Sequence, residues 1–303
     1  MDFGRLLTAM VTPFDENGKL SLKRTTDLLE YLIDHGSDGV VVAGTTGESP
    51  TLTLEEKLTL FEHVVKVSAG RLKIIAGTGS NNTEQSVLVS KETARLGVDG
   101  IMAVAPYYNK PNQEGLYRHF KAIAESAPVP LVVYNIPGRS KVNISADTII
   151  RLSEIDNVVA VKEASGDLDQ MAAIVSGTDE NFHLYSGDDG LTLPILSIGG
   201  HGVISVSSHV VGPEMQAMMG AYLRGEVSEA AAFHRALLPL MRELFAAPSP
   251  SPIKALLNET GVPVGGVRLP MVPLTEAERT LLLNVYRQCK NDATTLKDAN
   301  EAK

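Results

Sequence analysis

The chain has 303 residues, with 27 Lys and Arg against 36 Asp and Glu, a formal charge of −9. A surface of that sign repels nucleic-acid phosphates and anionic lipid, so neither nucleic acid nor a membrane is an expected partner. The single cysteine, Cys289, excludes a disulfide framework and a multi-cysteine metal site within one chain; an acidic, cysteine-poor chain reads as cytoplasmic.

No targeting pattern opens the sequence: Asp2 stands where a signal peptide would be basic, and Leu6-Leu7 is soon cut by Thr8, Thr12 and Pro13. Short Val- and Ile-rich runs then recur at 6–11, 39–43, 73–77, 100–105, 131–134, 158–161, 183–186 and 202–206. Unbroken apolar runs of this length suit strands covered on both faces. The clearest helices between them are 54–69 and 83–96. In the first, Leu58, Phe61, Val64, Val65 and Val67 contain the i, i+3 and i+4 spacings of one apolar face. From Gly190 to Pro213 no residue is charged, but Pro194, Gly199, Gly200, His201, Gly202, Ser205, Ser207, Ser208 and His209 make this an interior helix and a buried strand rather than a membrane span.

Eight runs with helical crossovers predict an α/β fold of the (β/α)8 TIM-barrel type over residues 1–225. A doubly wound sheet would usually show fewer strands and a glycine-rich first turn. After Gly225 the pattern becomes helical at 226–246, 253–259 and 275–289, interrupted by Pro248, Pro250 and Pro252 and by a Pro- and Gly-rich loop. This predicts a C-terminal helical extension over 226–290, followed by a polar tail, 291–303, expected to fray.

In such a barrel the chemistry sits at the C-terminal ends of the strands. Lys162 directly follows an apolar run, so its amine is expected in a poorly solvated wall. Desolvation lowers a lysine pKa, and the neutral amine can attack a ketone to form a Schiff base. A lysine paired with a buried carboxylate, or snorkelling to the rim, fits the same pattern. Tyr134 ends the preceding run and is either a proton shuttle beside that amine or a core tyrosine. Thr45-Thr46, between Gly44 and Gly47, offers hydroxyls and N–H groups that could hold a small carboxylate, or merely cap a helix. Dinucleotide, Walker, zinc-protease and serine-hydrolase motifs are absent, and none of the seven histidines pairs at helical metal-ligand spacing, which leaves open only a site assembled from distant residues; no metal is the expectation.

Four segments carry more than this. Gly44-Thr45-Thr46-Gly47-Glu48, Tyr107-Tyr108-Asn109-Lys110-Pro111, Tyr134-Asn135-Ile136-Pro137-Gly138-Arg139 and Val161-Lys162-Glu163-Ala164-Ser165-Gly166 occur in order and at matching spacings. Together they resemble the dihydrodipicolinate synthase family of the N-acetylneuraminate lyase superfamily, over roughly residues 3–290. The resemblance implies a barrel with a helical extension. Its implied reaction is a Schiff-base condensation of pyruvate with L-aspartate 4-semialdehyde to 4-hydroxy-tetrahydrodipicolinate, in diaminopimelate and lysine biosynthesis, with no cofactor beyond the lysine imine. It further implies that Lys162 forms the imine and that Thr45 and Thr46 hold the pyruvate carboxylate. Thr45, Tyr134 and Tyr108 would relay protons, Tyr108 coming from a second subunit of a homotetramer built from two dimers. Gly187 and Ile204 would line the pocket with backbone groups, and Arg139 would grip the second substrate's carboxylate. In feedback-sensitive relatives L-lysine binds at the dimer interface; here Leu54, Lys57 and Gln85 replace the residues that hold it, while Asn81 and Tyr107 keep the pattern. The alternatives are a sibling pyruvate-dependent aldolase, acting on N-acetylneuraminate or 2-keto-3-deoxy sugar acids, and a barrel that binds a keto acid without turnover.

Overall fold

The structure, a computed structural model, describes residues 2–301. Strands β1 (Leu6–Ala9), β2 (Gly39–Val42), β3 (Lys73–Gly77), β4 (Gly100–Val104), β5 (Leu131–Asn135), β6 (Val158–Glu163), β7 (His183–Ser186) and β8 (Gly202–Ser205) close in chain order into one barrel. Every neighbouring pair is parallel, and β8 returns to β1 through Leu7 and Ile204. Nearly all strand residues are buried. One face fills the barrel and the other meets the surrounding helices, which is why the runs are continuous rather than alternating.

Strand ends differ from the expected ones for local reasons. β2 stops at Val42 because Ala43 turns to a φ of 52°, out of the extended region. β6 instead runs on through Lys162 and Glu163, whose register partners on β5 are Tyr134 and Asn135. The β5–β6 register also shifts by one residue at Leu131/Val132. Without that irregularity Tyr134 would face Val161; with it, Tyr134 faces Lys162. Bulges re-aim side chains in this way beside functional sites.

Helices start on Ser21, Thr53, Asn82, Asn112, Ser145 and Asp167, each of whose side chains accepts the N–H three residues on. In helix Leu54–Ser68 the buried stripe is Leu60, Phe61, Val64 and Ser68, whereas Leu58, Val65 and Val67 are only partly covered. The charge-free stretch supplies helix Thr192–Ser197, β8 and the start of helix Ser208–Leu223. Among the described residues no helix is long and apolar enough to cross a membrane.

The C-terminal helices are Val227–Glu243, Ser251–Glu259 and Glu276–Glu301. The last does not stop near 290. It continues through the segment expected to fray, because Ala293 is buried and Lys297 reaches to 3.6 Å from the buried Glu214, which Lys290 also contacts. Residues 302 and 303 of that segment lie outside the described residues.

Candidate active site

Lys162 stands on β6, 6% exposed, with its Nζ 4.3 Å from the centroid of the Tyr134 ring. Burial pushes its amine down to about 8; the carboxylate of Asp189 pulls the other way, and Arg139 adds to the depression. Among the described residues the amine has no side-chain hydrogen-bond partner, so nothing ties up its lone pair once the proton leaves. Tyr134 is 4% exposed, and the Thr45 side chain beside its phenol acts against the upward shift that burial imposes. Burial raises that phenol to about 12, so it stays protonated and able to donate.

A cavity of about 410 Å³ opens beside Tyr134. Thr45, Tyr134 and Arg139 line it, together with Ser49, Lys57, Gln85 and Tyr107. The turn that carries Thr45 is fixed by Glu48 N–H to Thr45 C=O (3.1 Å), Ser49 N–H to Gly44 C=O (3.2 Å) and the Thr12 hydroxyl to Gly47 C=O (2.6 Å). Arg139 sits on the short helix Pro137–Ser140, directly after β5, and is solvent-exposed. Gly187 lies against the lysine: a Cβ there would come within 3.2 Å of Lys162 Cε and 2.7 Å of Ala164 Cβ, so the position has no room for a side chain.

Not every expected residue joins this group in one chain. Thr46 is buried beside Thr45, Ile204 on β8 and Lys162 on β6, but none of the three is among the residues that line the cavity, and neither is Gly187. Tyr108 is 89% exposed and outside the wall. It occupies the centre of a γ-turn, with φ 74° and Asn109 N–H donating to Tyr107 C=O at 2.9 Å, a strained conformation for a bulky residue.

Three groups escaped the sequence reading. Asp189 is 2% exposed, and its Oδ2 accepts from Val206 N–H (3.2 Å), Ser207 N–H (2.9 Å) and the Ser207 hydroxyl (2.7 Å). It is the carboxylate whose field acts on Lys162. Its position just past β7 was a signal, but nothing in the sequence aimed it at Lys162. Glu163, next to the lysine, accepts from Asn135, Ser165 and Gln170, and burial raises its carboxyl. Glu48 is 3% exposed and paired with Lys254. Among the described residues one set of potential metal ligands occurs, Asp2, His183 and His201, and it sits at the opposite, N-terminal end of the barrel strands.

Residues 2–288 match the dihydrodipicolinate synthetase family. The chain is 58% identical to 4-hydroxy-tetrahydrodipicolinate synthase 2 of Halalkalibacterium halodurans over 290 residues, 96% of this chain and 99% of that one. It superposes on the dihydrodipicolinate synthase of Bacillus anthracis with a TM-score of 0.94 at 55% identity, covering 95% of this chain and 98% of that one. The lysine-bound enzyme of Cyanidioschyzon merolae matches with a TM-score of 0.94 at 46% identity, again covering 95% and 98%.

Proposed function

The chain belongs to the dihydrodipicolinate synthetase family and is a lyase that condenses pyruvate with L-aspartate 4-semialdehyde, and we propose that Lys162 carries this reaction as a Schiff base. The observation that bears most weight is the pairing of Lys162 with Tyr134 across β5 and β6, the amine desolvated and 4.3 Å from the phenol ring.

The neutral Lys162 amine adds to C2 of pyruvate, and loss of water gives the imine. Deprotonation at C3 gives an enamine, which attacks the aldehyde carbon of the second substrate; the new alkoxide takes up a proton. The amine of the aspartate semialdehyde portion then attacks C2, closing the ring and expelling Lys162. One water leaves overall, and no redox or metal chemistry is needed for the balance. Tyr134 and Thr45 carry the protons between these steps, and Thr45 and Thr46 hold the pyruvate carboxylate. Arg139 meets the carboxylate of the second substrate with a planar fork. A guanidinium in the cavity wall suits that substrate better than the polyol of a sugar-acid aldolase. Gly187 and Ile204 complete the pocket around the imine.

Tyr108 completes the relay from a second copy of the chain, in a tetramer of two dimers. Its 89% exposure in a strained turn supports this, since the isolated chain gives that strain no return. Mixing Tyr108→Phe with Lys162→Ala chains tests it: partial recovery of activity is expected, and none under proven subunit exchange contradicts a shared site. For the reaction itself, consumption of aspartate semialdehyde in the presence of pyruvate is the test, with sugar-acid cleavage as the contrary outcome.

A further inference from the structure

The turn that carries Thr45 ends on a buried charge cluster that the reaction itself does not employ. Glu48 follows the hydroxyl pair and takes a φ of 56°. Its Oε1 lies 2.7 Å from Lys254 Nζ, with both side chains 2% exposed, and its Oε2 accepts the Arg268 backbone N–H at 2.8 Å. Lys254, on helix Ser251–Glu259, also donates to Gly266 C=O at 2.7 Å and lies 4.1 Å from the centroid of the Phe14 ring. Arg268 donates to Thr51 C=O (2.8 Å) and makes two bonds to Glu56, 2.9 and 2.6 Å long. Glu56 in turn closes the capping box on Thr53 at the start of helix Leu54–Ser68. Thus the 44–49 turn and the helix after it are both gripped by residues of the C-terminal extension.

Burying an ion pair rarely stabilises a fold more than apolar residues of the same volume would, and its best-attested use is to fix one geometry among several. This turn needs such fixing. Ala43 and Glu48, at its two ends, are both non-glycine residues in the left-handed region, a costly conformation that persists only where surroundings over-determine it. Between them Thr45 must keep its hydroxyl beside the Tyr134 phenol in the cavity wall that both residues line.

We propose that Glu48 is a positioning residue for the Thr45–Tyr134 pair, clamped by Lys254 and Arg268 so that the C-terminal extension supports the proton relay. The proposal rests on the reading of Thr45 and Tyr134 as that relay. It assigns the extension a part in turnover although none of its residues lines the cavity.

The test is a cycle between the paired substitution Glu48→Gln/Lys254→Met, which leaves no unpaired buried charge, and Thr45→Val. In the wild-type background the paired substitution should keep a cooperative thermal transition and lower kcat about ten- to hundredfold, the range for small misplacements near a reacting centre. The KM for aspartate semialdehyde should stay within about twofold, because Arg139 is on another strand end. In the Thr45→Val background the same pair should cost less than about twofold more, since a residue acting through Thr45 has nothing left to position. A folded paired variant with wild-type kcat overturns the proposal, as does an equal loss in both backgrounds, which would mean a general structural tie. Borohydride trapping of pyruvate on Lys162 is run alongside: a wild-type protein that fails to trap refutes the Schiff-base reading, whereas trapping with either contrary kinetic result refutes only the role of Glu48.

Discussion

Two lysines, Lys162 in the barrel mouth and Lys254 in the extension, are buried to nearly the same degree, 6% and 1% exposed, and burial pushes both amines down to about 8. Their surroundings separate them. Lys254 has a carboxylate oxygen at 2.7 Å and donates to a backbone carbonyl at 2.7 Å, so an opposite charge and an acceptor both hold its ammonium. Lys162 has an aromatic ring beside it and the field of Asp189, whose Oδ2 is already engaged by Val206 and Ser207 just after β8. Desolvation alone therefore does not make a nucleophile. It is desolvation without an acceptor at contact distance that leaves an amine free to attack.

The largest test of this contrast is the same substitution at both sites. Lys162→Ala should leave the melting transition near that of the wild type but lower turnover about a thousandfold or more, as expected for loss of a covalent nucleophile. Lys254→Ala should act first on stability, costing about 3–5 kcal/mol because Glu48 is left buried and unpaired, and its kcat should stay well above that of Lys162→Ala. Urea melts and kcat on both proteins decide it; a Lys162→Ala enzyme with several per cent of activity breaks the contrast.

A smaller effect is expected at Arg139. Arg139→Ala should lower kcat/KM for aspartate semialdehyde about a hundredfold, the equivalent of 2–3 kcal/mol for a charged bidentate contact. Pyruvate trapping should be little changed. Equal damage to both substrates would make Arg139 a support of its loop.

The field of Asp189 can be sharpened by pH. Activity with pyruvate should rise with pH and level off above about 8, as the Lys162 amine loses its proton. Asp189 favours the ammonium form, so Asp189→Asn should move that rise to lower pH. A profile unmoved or moved to higher pH would show that Asp189 carries no charge felt by Lys162.

The smallest expected effect is none. Lys57 and Gln85 line the same cavity as Thr45 and Arg139; the uncharged Gln85 offers no carboxylate to an L-lysine amine, and Lys57 adds a like charge nearby. L-lysine should not half-inhibit below about 1 mM, the range a 1.4 kcal/mol-per-decade scale gives an intact site. Inhibition assays at a few millimolar would expose a misread cavity.

Most of the barrel was legible because buried parallel strands leave continuous apolar runs, and Lys162 stood out as the charged residue ending one of them. What put it opposite Tyr134 was not legible. The register shift at Leu131/Val132 changes no residue type and appears only once two strands are paired. Thr45, Tyr134 and Arg139 share a cavity as the motif order implied, but Asp189 gained its meaning from β8, and Glu48 from a lysine at the far end of the chain. The last helix ran past its expected end for the same kind of reason: Lys290 and Lys297 look like solvent residues until Glu214 is placed beneath them. Local pattern specifies elements, whereas partners brought together by closure of the barrel specify charge.

The most direct measurement is reduction with borohydride in the presence of pyruvate, followed by peptide mass analysis. One reduced pyruvate unit on the peptide containing Lys162, with none on the peptide containing Lys254, is the predicted result. Labelling of both lysines, or of neither, would contradict the claim that an unpartnered, desolvated amine at the end of β6 is what this protein uses to hold pyruvate.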